Sequence, residues 1–251
     1  MNTCIVVPHY DHLDQFRRFL PDLSTVGLPL IVVDDASPAQ AADALEDLLA
    51  STAADTTLVR HGENRGKGGA VMTGLRAAHD AGYSHALQID ADGQHDCSDI
   101  AMFLDAAARR PESIVCGQPV FDENISKLRY YARYITLSFS YVETLSTEIR
   151  DALCGFRLYP LTAIVAIIDG SRLGERMAFD PELLVRASWA GIPLHYIPVT
   201  VAYPEDGKSH FHYWRDNLEI SWMHTRLLAG MLLRSPRLLK RNFARQRAVR
   251  T

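Results

Sequence analysis

Tyr83-Ser84-His85-Ala86-Leu87-Gln88-Ile89-Asp90-Ala91-Asp92-Gly93-Gln94-His95-Asp96 passes from a buried strand into a cluster of acids. Leu87 and Ile89 share one face of the strand, so the carboxylates emerge where it runs out into a loop. Two aspartates one residue apart, with a glycine following, can turn toward one divalent cation. Mg²⁺ and Mn²⁺ suit this arrangement, because one or two carboxylates hold them together with water and substrate phosphate oxygens. A solvated acidic turn is the competing reading of a lone Asp-x-Asp.

Outward from that stretch, the first half of the chain repeats a strand–helix rhythm. Thr3–Val7, Leu30–Val33, Thr56–Val59 and Ser113–Cys116 read as further strands. Between them, helical spacing runs over His12–Leu23, from Pro38 past Leu49 with Ser37 as N-cap, after the Asn64–Ala70 stretch to about Ala81, and over Asp99–Ala108. Continuous apolar strands alternating with helices imply an α/β fold with a mostly parallel central sheet flanked by helices. Ligands of such sheets bind beyond the carboxyl ends of the strands. Pro8-His9-Tyr10-Asp11, Asp34-Asp35 and Asp90-Ala91-Asp92 all fall there.

The second half is less regular. Helices are expected over Lys127–Leu145, Leu161–Ile168, Pro181–Ala190 and Tyr213–Leu233, with one strand at Leu194–Val199. Arg129 and Arg133 stand four residues apart on one helix face. Tyr213, Ile220, Met223, Leu227 and Met231 form a stripe on the last helix, which carries Trp214 and Trp222 as well.

The 251 residues suffice for one large domain with a substantial core. Four cysteines without C-x-x-C spacing point away from zinc and disulfides and toward a reducing cytosol. The histidines show no helical H-x-x-x-H pair, and no apolar run is long enough to span a bilayer. No signal peptide is read at the start, where Met1 leads directly into a strand. The formal charge of −4 hides an asymmetry: residues 234–251 hold seven Arg or Lys and no acid, leaving 19 basic and 30 acidic residues elsewhere. An acidic body with a basic tail excludes a duplex-wrapping nucleic-acid protein and suits an anionic membrane surface. The last helix therefore has two readings, packed on the core or lying on a membrane.

Val6-Val7-Pro8-His9-Tyr10-Asp11, Val32-Val33-Asp34-Asp35-Ala36-Ser37, Asn64-Arg65-Gly66-Lys67-Gly68 and Asp90-Ala91-Asp92-Gly93-Gln94-His95 occur in the order found in family-two glycosyltransferases, which the chain resembles over about residues 3–211. Asp151, Gly155-Phe156-Arg157 and Gly207-Lys208-Ser209 are similar to the dolichyl-phosphate mannose synthase and polyprenyl-phosphate sugar transferase branch. Two features depart from that branch: no transmembrane pair follows the catalytic region, and Cys154 stands where Ser is common.

The resemblance implies the GT-A nucleotide-sugar (Rossmann-like) fold, with a nucleotide-binding part over about 1–118, an acceptor part over about 119–211 and a C-terminal amphipathic helix with basic tail over 212–251. It also implies inverting transfer, Mg²⁺ or Mn²⁺, a UDP- or GDP-sugar donor and a lipid or lipid-phosphate acceptor. The expected location is cytoplasmic, with peripheral attachment to the inner membrane face as the alternative. Pro8, Tyr10 and Asp11 would frame the nucleoside, and Asp34 or Asp35 would accept hydrogen bonds from base or ribose. Lys67 would face the donor phosphates. Walker A spacing is absent around it, which argues against an ATPase. Asp92 is the first choice of metal ligand, supported by Asp90 and Gln94. Asp180 matches the place of the acceptor-activating base, with capping of the following helix as the structural alternative. For a phosphate acceptor, which needs no base, Arg129, Arg133 and Arg157 would bind the phosphate, and Lys208 and His210 sit in a loop suited to closing over the diphosphate. A sugar nucleotidyltransferase and a non-catalytic scaffold remain as alternatives. The first lacks its usual Gly-rich loop after the opening strand.

Overall fold

The computed structural model describes residues 1–120, 127–201 and 213–250, with side chains described over 1–120, 133–201 and 214–244. The expected strands form at β1 (Thr3–His9), β2 (Leu30–Asp34), β3 (Thr56–Arg60), β4 (His85–Gln88), β5 (Ile114–Val120) and β7 (Leu194–Thr200). A further strand, β6 (Arg157–Pro160), has no counterpart among the expected elements. The sheet order is β3-β2-β1-β4-β6-β5-β7. All pairs are parallel except those of β6, which runs antiparallel to both β4 and β5. Four residues are too few to show a period, and Arg157 at the head of β6 disguises a fully buried strand as a loop.

Helices α1 (Leu13–Thr25), α2 (Ala39–Ala50), α3 (Lys67–Asp80), α4 (Ile100–Arg109), α5 (Lys127–Thr144), α6 (Leu161–Asp169), α7 (Phe179–Ala190) and α8 (Tyr213–Arg250) complete the chain. Successive strand residues alternate between two cores, because side chains of a strand point to opposite faces. Cys4, Val6, Ile31 and Val33 meet α3, α6 and α7, whereas Ile5, Val7, Leu30 and Val32 meet α1, α2 and α4. Burial on both faces explains why these strands read as unbroken apolar runs.

Three local expectations change. Pro38 occupies the N-cap of α2 and no side chain caps the helix. The Ser37 hydroxyl instead accepts the Asp11 backbone N–H at 3.0 Å, tying the end of β1 to the end of β2. Asp180 lies inside the first turn of α7, whose N-cap is Ala178, so it does not cap that helix. The terminal helix continues past Leu233 and through Pro236 to Arg250.

Glycines let α3 press on its neighbours. A β-carbon at Gly74 would lie 2.4 Å from Val6 Cγ1, and one at Gly68 would lie 2.3 Å from Phe179 Cβ. The first contact seats the helix on β1, and the second brings the start of α7 to its N-terminus. Gly74→Ala is expected to lower stability by about 1–3 kcal/mol through overpacking. Urea unfolding should show a lower midpoint at unchanged slope, while Gly62→Ala, where nothing lies within 4 Å, should be nearly silent.

Candidate active site

The carboxyl ends of β1, β2 and β4 and the N-termini of α3 and α7 meet at one edge of the sheet. Lys67, the first residue of α3, is at the centre. Its ammonium donates to Asp90 Oδ2 at 2.7 Å and lies 3.6 Å from Asp180 Oδ2. Asp180 Oδ1 in turn lies 3.4 Å from Arg157 Nη1. Carboxylates from the end of β4 and the start of α7 are thus joined through one cation. Burial works against the charged lysine, but Asp90 and Asp180 hold its pKa above the ordinary value. Burial likewise opposes the Asp90 carboxylate, and Lys67 above all keeps its pKa below the usual range. A β-carbon at Gly155 would stand 2.6 Å from Lys67 Nζ and 3.2 Å from Asp90 Oδ2, so only glycine leaves this ion pair its room.

Asp92 behaves differently. Burial and the neighbouring Asp90 charge raise its carboxyl from the ordinary 3.8 to about 6. Its Oδ1 accepts the Gln94 backbone N–H at 3.1 Å. The second oxygen of Asp90 is buried without a hydrogen-bond partner. A carboxylate oxygen left unpaired beside a second, electrostatically burdened carboxylate fits a divalent cation shared with a ligand. Among the described residues no group of three His, Cys, Asp or Glu side chains converges on one point, so a closed protein cage is not the arrangement. Gln94 also borders a cavity of about 830 Å³ that faces Phe19 of α1 and Ile100 and Leu104 of α4. None of Asp90, Asp92, Lys67 and Asp180 lines that cavity.

The end of β2 carries Asp34 and Asp35, and both turn inward. Asp35 accepts the backbone N–H groups of Arg65 at 2.8 Å and Gly66 at 2.6 Å, and its Oδ1 lies 2.7 Å from His61 Nδ1. Asn64 Nδ2 donates to the Asp35 carbonyl. Asp34 faces His9 Nδ1 and the Ser37 N–H, each at 3.4 Å; those bonds overcome burial and lower its pKa. Both carboxylates thus hold local backbone and histidine partners in this structure. Asp35 fixes the loop that delivers Lys67. Pro8 and Tyr10 are half-buried at the end of β1, followed by Asp11 at φ 51°. With Ala36 at φ 60°, two non-glycine residues hold left-handed backbone on this rim. Such conformations persist only where their surroundings impose them.

Arg157 is enclosed. Its side chain is 1 % exposed, and its guanidinium donates to the carbonyls of Asp180 and Ala152 at 2.9 Å each. These bonds tie it to the start of α7 and to the Ala152 loop. Arg133 pairs with Asp151, which also accepts the N–H groups of Leu153 and Cys154 and so shapes the turn before Gly155. The Arg129 side chain, Lys208 and His210 lie outside the described residues. Gln88 and Tyr159 were not anticipated. The tyrosine hydroxyl donates to Gln88 Oε1 at 3.0 Å beneath the lysine, and a polar residue inside a short buried strand gives no periodic signal.

In an open, mostly parallel sheet, the carboxyl edge where these carboxylates and the lysine meet is where ligands bind. The chain belongs to glycosyl transferase family 2, whose sequence profile matches residues 4–167. A dolichyl-phosphate beta-glucosyltransferase of Dictyostelium discoideum is 28 % identical over 78 % of this chain and 64 % of that protein. The human protein of that name is 31 % identical over 71 % of this chain and 57 % of its own length. The chain thus spans less than two thirds of either relative. An undecaprenyl-phosphate mannosyltransferase of Micrococcus luteus is 24 % identical over 83 % of this chain and 87 % of that one. These relatives lie in the branch that the motifs pointed to. Among solved structures, glucosyl-3-phosphoglycerate synthase of M. tuberculosis superposes with a TM-score of 0.63 at 13 % identity, covering 92 % of this chain and 79 % of that one. A mannosyltransferase of Pyrobaculum calidifontis, solved with GDP-Man and Mn²⁺, gives 0.60 at 18 % identity, covering 89 % and 62 %. The fold is the GT-A arrangement expected from the motifs.

The raised pKa of Asp92 has a measurable consequence in the free protein. Because the folded pKa exceeds the unfolded one, ionised Asp92 destabilises the fold above pH 6, and the penalty fades as pH falls from about 6 to 4. Asp92→Asn is expected to raise stability at pH 8 by on the order of 2 kcal/mol. Thermal melts of the two proteins should converge at pH 4.

Proposed function

We propose that the protein is an inverting, metal-dependent glycosyltransferase that moves a hexose-type sugar from a UDP- or GDP-sugar to a lipid phosphate. The observation that carries this reading is the single ammonium of Lys67 bridging Asp90 and Asp180 at the sheet edge. It brings the candidate cation-binding acids and Asp180 into one charge cluster, with Lys67 and Arg157 as its cations.

Sugar leaves a nucleoside diphosphate when the charge developing on the departing diphosphate is neutralised. Asp90 and Asp92 would hold a divalent ion, which would supply Lewis-acid stabilisation of that group. Lys67 adds a fixed positive charge that needs no reorganisation during the reaction. The acceptor oxygen attacks the anomeric carbon from the face opposite the diphosphate; the new C–O bond forms as the bond to the β-phosphate breaks. A hydroxyl acceptor would give its proton to Asp180. A phosphate acceptor arrives ionised, and Asp180 then keeps Lys67 and Arg157 in place. The names of the lipid-phosphate relatives support the second case.

Calorimetric titration with UDP- and GDP-sugars in the presence of Mn²⁺ is expected to give binding to at least one donor. Asp92→Ala should weaken that binding at least tenfold and reduce transfer by about 10²–10³-fold. Failure of every donor to bind, with or without Mn²⁺, would refute the reading. In product assays, a short-chain polyprenyl phosphate should accept sugar and the matching free alcohol should not.

A further inference from the structure

The last helix is apolar on two opposite sides. Met223, Leu227, Met231 and Leu238 are buried against the body of the protein. About half a turn away around the helix, Leu218, Trp222, Leu232, Leu233 and Phe243 are between 63 % and 84 % exposed, with Trp214 at the head of the same row. A helix that only completed the core would show polar residues on its outer side.

The row continues onto α5, which packs beside α8. The Phe139 ring stacks on His224 with centroids 4.5 Å apart, and Ile135 and Val142 on the same outer side of α5 are exposed. Exposed apolar surface spread over two adjoining helices exceeds what scattered surface hydrophobes account for.

Charge selects the occupant. From Ile220 to Arg250 the helix carries eight Arg or Lys and no acidic residue. Its two acids, Asp216 and Glu219, are respectively buried and set against the Gly174 turn. Arg237 and Lys240 are exposed beside the apolar row. A second copy of this chain docked two-fold on the same face would set these cations against each other. An anionic bilayer complements them, and tryptophans flanking leucines suit the headgroup boundary.

We infer that the outer faces of α5 and α8 form a docking surface for an anionic lipid bilayer, on which the protein lies without crossing it. Among the described residues no helix is long and apolar enough to cross a membrane. The inference rests on the lipid-phosphate reading for its purpose, since α5 also carries Arg133 toward Asp151 beside the site. It rests on the exposed rows alone for its physics.

The test is co-sedimentation of the full chain, without nucleotide, with phosphatidylcholine vesicles containing none or about 30 % phosphatidylglycerol. Binding is expected to anionic vesicles and to weaken with salt. The double change Leu218→Glu, Trp222→Glu should lower it at least about tenfold, and Arg237→Ala with Lys240→Ala should lower it on anionic vesicles alone. Unchanged circular dichroism and melting would show that these exposed positions leave the fold intact. Wild-type protein that stays in the supernatant, or variants that bind as well as it does, would overturn the inference. So would a dimer in light scattering that the glutamates dissolve while vesicles are ignored. Transfer to a short-chain, water-soluble acceptor separates the two readings: its absence with vesicle binding intact removes the catalytic proposal and leaves the surface standing.

Discussion

One half-buried ammonium organises the carboxyl edge of this sheet. Lys67 sits between Asp90 and Asp180, which reach it from the end of one strand and the start of a distant helix. Removing charges from water is tolerable only when they are paired, and the pairing here is shared with Arg157. Three carboxylates, Asp90, Asp92 and Asp180, face two cations. Among the described residues Asp92 has no such partner, and burial together with the Asp90 charge raises its proton affinity.

The surroundings serve that pairing. Asp35 gathers the N–H groups of Arg65 and Gly66 and so sets where α3 begins. Gly68 and Gly74 let the helix lie close to Phe179 and Val6, and Gly155 leaves space above the lysine. Asp151 does for the Leu153–Cys154 turn what Asp35 does for the lysine loop. Carboxylates that look like ligand contacts in a motif are, in two of these places, used to hold backbone. They are well suited to it, since an ionised carboxylate accepts several N–H bonds that would otherwise go unmet.

The terminal helix joins two environments. Its inner row extends the hydrophobic core, and Glu143 meets His224 at 2.7 Å to fix it against α5. Its outer row and basic flank face away from the protein. Packing on the core and lying on a membrane, which the stripe of apolar residues had presented as alternatives, are compatible because they use different sides of one helix.

Strand–helix alternation, the placing of acids at strand ends and the order of the four motifs were legible in the residues themselves, because apolar period and turn chemistry are local. The strand inserted at Arg157–Pro160 was not, since four buried residues carry no period and its pairing depends on β4 and β5. The direction of each charged side chain was equally hidden. Nothing local distinguishes Arg157, wholly enclosed, from Arg133, paired with Asp151, or Asp35, which holds a loop, from Asp92, whose proton affinity is raised. Sequence by itself determined which chemical groups arrive at the sheet edge. Only tertiary structure decided which of them face one another, because burial and ion pairing depend on segments that meet across more than a hundred residues, as Lys67 and Asp180 do.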